Sequence, residues 1–254
     1  MDRSVWSDPA VVAASRAFTC LRLATYESAE EAKILEWVFL GRQGTLENTV
    51  FALVSPDGKT KLSRGGRSPD MVYRGNAELV AAMGEVAGRY TSVQVPAADR
   101  GLPRLATARL GLNVAACDGQ LLVVVVGEPG DARVALERRV AGLAWSDELV
   151  GRAQYALATR GELATVTGLE LDAGVLVVEP DAFGAGGKVV AQLAADRSDA
   201  ELSRAISVAV VAHTAVAKDT RAHIGEGRRA GVHWDTAIPV TDPHVPGDRG
   251  PPGR

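Results

Sequence analysis

The chain has 254 residues, 46% of them hydrophobic and only 5% aromatic, and a formal net charge of −3. This length allows one large domain or two of ordinary size, and the near balance of charges gives no support for nucleic-acid binding. No apolar run is long enough for a membrane span, the start shows no signal-peptide pattern, and two cysteines are too few for a disulfide framework. We therefore expect a soluble, cytoplasmic α/β protein without a resident metal or cofactor.

The first part of the chain predicts three helices interleaved with strands. Ser7 or Asp8 is a typical N-cap at the start of the first helix, and Pro56-Asp57-Gly58 predicts the turn of a hairpin. In chain order the pattern predicts a helix, a strand, a helix, a hairpin and a helix, over residues 7–17, 18–26, 28–40, 49–63 and 77–89. Together these elements predict a first domain over residues 1–90.

Residues 91–114 form a predicted linker, with two prolines near its start and a short amphipathic segment near its end. The apolar run 121–126 indicates a central strand covered on both faces. The elements predicted after the linker are a strand, two helices, a weak strand, a hairpin and a long helix, over residues 121–126, 132–141, 146–159, 162–166, 174–193 and 199–219. They make a second domain over residues 115–224. Gly, Pro, Arg and His dominate residues 225–254, which predicts a flexible tail.

An internal repeat links the two domains. Residues 5–18 and 144–157 align without a gap and share Trp-Ser-Asp followed by matching small and branched residues. Further on, residues 50–59 resemble residues 175–181 in the same order, and each stretch is followed by a helix that contains Ala-Glu-Leu. The repeat predicts two diverged copies of one α/β unit.

The first unit resembles the thioredoxin superfamily in its order of elements, in its Pro-Asp-Gly hairpin and in the segment Val5-Trp6-Ser7-Asp8-Pro9. In one branch of that family a similar segment follows a Cys-x-x-Cys dithiol by a few residues. The resemblance covers residues 1–90, and the repeat extends it to the second unit. It implies two tandem thioredoxin-like units, the first lacking its first strand and dithiol, and a role in thiol–disulfide exchange with protein thiols.

Two explanations for the absent dithiol stay open. In the first, Met1 is an internal methionine of a longer, exported protein, whose upstream part supplies a strand and a Cys-x-x-Cys or its selenocysteine version. In the second, the chain is complete and another strand, or the other subunit of a homodimer, fills the gap. The second unit has no cysteine after residues 121–126, and neither 47–49 nor 172–174 contains the proline that the family places there. We therefore predict that the second unit is redox-inactive.

The sequence gives only weak support for any reactive residue. Cys20 lies in an alternating apolar stretch, which favours a buried structural thiol, and Cys117 precedes a strand without a basic neighbour that would activate it. The histidines at 213, 223, 233 and 244 lack the close spacing of metal ligands, so solvated tail residues are favoured over a metal site. Two functions remain: an oxidoreductase-family protein that lacks its redox motif, and a non-catalytic scaffold that binds a protein partner.

Overall fold

The computed structural model describes residues 4–91, 95–96, 99–216 and 219–241. The chain divides into two compact units, one made of Met1–Val93 with Trp234–Arg254 and the other of Gln94–His233. The first unit is therefore assembled from two separate parts of the chain. Within the described residues, no helix has the length and apolar character needed to cross a membrane.

The α-helices of the described part of the first unit are α1 (Pro9–Ser15), α2 (Ala29–Val38) and α3 (Asn76–Ala87), and loops and turns make up most of the remainder. Their starts follow from the sequence: Asp8 accepts hydrogen bonds from the first turn of α1, and the Ser28 side chain caps α2. The three helices confirm those predicted from the N-cap residues and apolar spacing. One core cluster joins α1 to α3 through Val11, Leu79 and Met83.

The strands predicted for the first unit are mostly absent from the described residues. Residues 18–26 form no strand, because no ladder of backbone hydrogen bonds pairs them with another segment in the described part of this unit. The predicted hairpin is reduced to two isolated antiparallel bridges, Phe51 with Gly66 and Val54 with Lys61. Its turn is nevertheless present, since the amide of Ser55 donates to the carbonyl of Thr60 at 2.9 Å.

The second unit contains a five-stranded mixed sheet with the strand order β2-β1-β4-β5-β3. Its elements are α4 (Ala108–Asp118), β1 (Leu121–Val126), α5 (Asp131–Ala144), β2 (Ala153–Ala158), β3 (Val166–Thr167), β4 (Gly174–Pro180), β5 (Gly187–Ala194), α6 (Asp199–Ala212) and α7 (Thr220–Arg229). Strand β1 pairs in parallel with β2 and antiparallel with β4, and β4 pairs antiparallel with β5.

Strand β1 is the centre of the second unit. All six of its residues are buried, which confirms the prediction of a central strand covered on both faces. Val123 and Val125 pack in a core with α5 and α6, whereas Leu122 and Val124 pack in a second core with α4. The alternation of side chains across the strand thus produces three layers, with helices on both faces of the sheet.

Four predictions for this part of the chain were wrong in detail. Residues 146–159 form no helix, because residues 153–158 are strand β2 and exchange backbone hydrogen bonds with β1. Helix α4 begins inside the stretch predicted as linker, and the long last helix ends at Ala212. In the predicted tail, α7 reaches Arg229 and residues 234–241 contact the first unit, while residues 242–254 lie outside the described residues.

The first pair of similar stretches in the sequence repeat differs in structure. The aligned stretches 5–18 and 144–157 contain helix α1 in one case and a turn leading into β2 in the other. The structure confirms the mixed α/β class but not two tandem copies of one unit.

Candidate functional site

The turn after β1, residues 127–130, is the place in the second unit where the family resemblance would put a dithiol. The amide of Gly127 donates to the Ala158 carbonyl at the end of β2, at 3.0 Å. The Arg133 guanidinium donates to the carbonyl of Gly127 at 3.0 Å, so α5 holds the turn in place. Gly130 is the N-cap of α5 and no side chain caps this helix start.

The loop before β4 lies opposite this turn. A Cβ added to Gly127 would be 3.7 Å from the Cβ of Ala173, so the two segments are in contact distance at the end of β1. Arg160 fixes the loop, since its guanidinium donates to the Leu171 carbonyl at 3.2 Å and to the Asp172 carboxylate at 3.0 Å. The two segments are therefore neighbours beside the start of α5.

This part of the second unit contains no thiol. Glu128 and Asp131 are exposed, and neither the turn nor the loop contains a cysteine. The nearby Glu162 carboxylate accepts a hydrogen bond from the Thr159 amide at 2.7 Å. That bond, helped by the Thr159 hydroxyl, lowers the pKa of Glu162 below its ordinary value, so this carboxylate is ionised near neutrality. It caps a local turn and is unsuited to donate a proton.

Neither cysteine belongs to this turn or to the loop before β4. Both are free thiols with exposed side chains, Cys20 in the first unit and Cys117 near the end of α4 in the second. The prediction of a buried Cys20 was wrong, because it depended on a strand that the segment does not form. The Cys20 thiol donates a long hydrogen bond to the Ser15 carbonyl, at 3.8 Å.

A cavity of about 400 Å³ lies elsewhere in the second unit, between the end of α4, the end of β4 and α7. His213 lies in its wall and is 85% buried, in contrast to the solvated histidine that the sequence predicted. Its Nε2 is 3.2 Å from the Gly119 carbonyl, which can only accept, so this nitrogen carries a hydrogen. Its Nδ1 faces a Glu179 carboxylate oxygen at 3.3 Å. The ring therefore joins the ends of α4, β4 and α6.

Two other polar residues of the cavity wall make contacts that stabilise the local structure. Asp219 caps α7 by accepting a hydrogen bond from the amide of Ala222 at 2.7 Å. The ring of His223 stacks on Phe183, with centroids 4.7 Å apart. Among the residues that the structure describes, no group of three or more His, Cys, Asp or Glu side chains is arranged to hold a metal ion. His244 lies outside that part of the chain.

Comparison with known proteins identifies no relative of this chain. No family model matches the chain, and neither a curated protein nor a solved structure matches it.

Proposed function

We propose that the chain is a non-catalytic protein-binding scaffold whose second unit has a thioredoxin-like fold. The observation that carries the proposal is the arrangement around β1. A central strand, a helix and a parallel strand are followed by an antiparallel hairpin and a closing helix, in the order β2-β1-β4-β5. This order supports a thioredoxin-like unit, although a short 3-10 helix and the two-residue β3 lie between β2 and β4, where the resemblance implies an α-helix. The loop before β4 is within contact distance of the turn after β1, as the resemblance implies.

The chemistry of the turn supports a role without redox turnover. Glu128 and Asp131 occupy the two positions that a Cys-x-x-Cys motif would have, with Pro129 and Gly130 between them. A helix N-terminus lowers the pKa of a thiol and so activates it, but a carboxylate at the same place cannot form a disulfide. The scaffold would keep the shape of a redox site and use it, or a surface nearby, for binding.

The competing proposal is that the chain takes part in thiol–disulfide exchange itself. Its support is the Val-Trp-Ser-Asp-Pro segment in residues 5–9. Cys20 and Cys117 would then be the thiols available for that reaction, and both are exposed. Neither lies at a helix start, where a thiol is activated.

The first test is reduction of insulin by the full chain, with dithiothreitol as the electron donor. We expect no rate above that of dithiothreitol alone. A rate that disappears in Cys20→Ala or Cys117→Ala would overturn the non-catalytic assignment, because one of the two thiols would then be responsible for turnover.

The fold assignment is tested by restoring a dithiol in a Cys20→Ala/Cys117→Ala background. Glu128→Cys/Asp131→Cys creates Cys-Pro-Gly-Cys at the start of α5, and we expect insulin reduction with the leading thiol pKa below about 8.5. The control is Arg74→Cys/Ala77→Cys, which has the same spacing at exposed positions at the start of α3 in the first unit. Equal rates in the two variants would refute the thioredoxin-like assignment of the turn.

A further inference from the structure

Residues 234–241, which we call the strap, follow the second unit in the chain and bind to the first. The indole N–H of Trp234 donates to the Glu27 carboxylate at 2.7 Å. The amide of Ile238 donates to the carbonyl of Tyr26 at 3.0 Å, and the Thr241 hydroxyl donates to the carbonyl of Leu46 at 2.8 Å. All three acceptors belong to the first unit.

The strap binds in the manner of an extended peptide. Trp234, Thr236 and Ile238 are partly buried, whereas the residues between them are exposed, which is the alternation of an extended chain. Ile238 packs on the core cluster formed by Tyr26, Ala32, Leu35 and Leu46. The contact thus combines a polar anchor, a backbone hydrogen bond and an apolar anchor, which are the features of peptide recognition along an extended segment.

The strap is only partly buried. None of the side chains from 234 to 241 is fully buried, and Val240 is half exposed. Segments with few buried apolar contacts open locally at a small fraction of the global unfolding free energy. The chain just before the strap contains Gly231 with a φ of +69°, so a turn separates it from α7. These properties fit a ligand that leaves its site while the rest of the unit stays folded.

We propose that the surface formed by Tyr26, Glu27, Leu35 and Leu46 is a binding site for an extended segment of a partner protein, which the strap occupies as an intramolecular ligand. The partner segment would carry an aromatic N–H donor that reaches Glu27 and, four residues later, a branched aliphatic side chain. This inference concerns the first unit and is independent of the scaffold assignment of the second.

The test uses the full chain and a labelled synthetic peptide with the sequence of residues 234–241, followed by fluorescence anisotropy. A tethered ligand acts at an effective concentration of about 1 mM, so the wild-type site is largely blocked. Trp234→Ala/Ile238→Asp removes both anchors of the strap, and we expect it to bind the peptide at least tenfold more tightly than the wild-type chain. Adding Glu27→Ala should then weaken binding by about tenfold, through loss of a hydrogen bond to a charged acceptor.

The matched control is Ala237→Asp/Val240→Ala, which introduces the same charge and a similar truncation at exposed positions of the strap. It should bind the peptide as weakly as the wild type. Equal affinity of the wild type and the anchor variant would overturn the proposal. So would unfolding of the first unit in the anchor variant, because the strap would then be part of the core.

Hydrogen exchange of the unmodified chain is a second test of whether the strap opens locally. The Ile238 amide should exchange faster than the amides in the middle of α2, because the strap opens locally. If the Ile238 amide is protected as strongly as those amides of α2, the strap does not open on its own and the proposal is overturned.

Discussion

The Cα of Gly174 lies directly against the carbonyl oxygen of Leu193, where β4 begins beside the end of β5. A Cβ at this position would come within 2.1 Å of that oxygen, and the φ of Gly174 is +151°, which disfavours any L side chain. We expect Gly174→Ala to lower the free energy of unfolding of the second unit by at least about 2 kcal/mol, because the hairpin must shift. Denaturant unfolding followed by circular dichroism would measure the loss.

The control is Gly142→Ala, since Gly142 lies in α5 and no atom is within 4 Å of the position of its Cβ. Alanine there should stabilise the helix by about 0.5–1 kcal/mol. Equal stability of the two variants would show that Gly174 is not in close contact with β5.

The buried hydroxyl of Tyr155 is a second energetically unfavourable feature of the second unit. The side chain packs in the apolar cluster between the sheet and α5, and its buried oxygen has no hydrogen-bond partner among the described residues. A buried polar atom without a partner is unfavourable, so we expect Tyr155→Phe to leave stability unchanged or raise it by about 1 kcal/mol. Tyr155→Ala should lower it by about 3–5 kcal/mol, through the cavity left behind. Thermal unfolding of both variants is the measurement.

The same residue gives the chain a sensitivity to alkali. Burial raises the pKa of Tyr155 from 10.0 to about 12, so the folded state keeps the phenolic proton at a pH where the unfolded state has lost it. Tyr155 therefore does not reduce the free energy of unfolding below pH 10, but it lowers this free energy as pH rises from 10 towards 12. Tyr155→Phe should show a smaller fall over this range when unfolding is measured at pH 9 and pH 11.5. Parallel pH profiles of the two proteins would contradict the assignment.

Ser198 and Glu201 form a reciprocal cap at the start of α6. The amide of Glu201 donates to the Ser198 hydroxyl oxygen, and the amide of Ser198 donates to the Glu201 carboxylate. We expect Ser198→Ala to lower the free energy of unfolding by about 1 kcal/mol, and Ser198→Thr, which keeps the acceptor, to lower it less. Denaturant midpoints at neutral pH would separate the two.

This cap also predicts a pH dependence. The hydrogen bonds from Ser198 lower the pKa of Glu201 below 4.5, so the carboxylate stabilises the fold above that pH and the contribution is lost as pH falls. The stabilities of Ser198→Ala and the wild type should therefore approach each other in acid. A constant difference between pH 7 and pH 3 would show that the carboxylate takes no part.

Arg139 of α5 forms hydrogen bonds to the turn that connects β5 and α6. Its guanidinium donates to the Asp199 carboxylate at 2.7 Å, to the Ala195 carbonyl at 2.8 Å and to the carbonyl of Arg197. Arg139→Ala should lower the free energy of unfolding by about 2 kcal/mol, because three acceptors lose their donor. Arg138→Ala, at the exposed neighbouring position, should change stability by less than about 0.5 kcal/mol. Similar losses in both variants would assign the effect to helix propensity alone.

The sequence predicted the helices and the buried strand better than the strand pairing. Asp8 and Ser28 mark helix starts through local hydrogen bonds, and the run 121–126 marks a strand buried on both faces. Residues 153–158 are rich in Ala and Leu, which favour a helix, but hydrogen bonds to β1 decide their conformation. A strand depends on a partner that is distant in sequence, so local patterns misjudged both this segment and residues 18–26.

The candidate sites could likewise be predicted where they depend on neighbouring residues, but not where they depend on contacts between residues distant in sequence. The turn after 121–126 could be located from the apolar run and the glycines that follow it. The strap was missed because the tail was interpreted by composition, although Trp234, Thr236 and Ile238 already alternate in the sequence. Two large apolar residues at an even spacing in a Pro- and His-containing tail were the available signal. Their acceptors, on Tyr26 and Glu27, lie far upstream and could not be inferred from spacing.

The discontinuous first unit has a consequence for synthesis of the chain. The acceptors on Tyr26, Glu27 and Leu46 emerge from the ribosome before the second unit, whereas the strap emerges after it. At ordinary rates of translation, the whole of Gln94–His233 takes roughly ten seconds to make. During that interval the strap site is vacant on every nascent chain, and a chaperone or a partner made nearby has its first access to it.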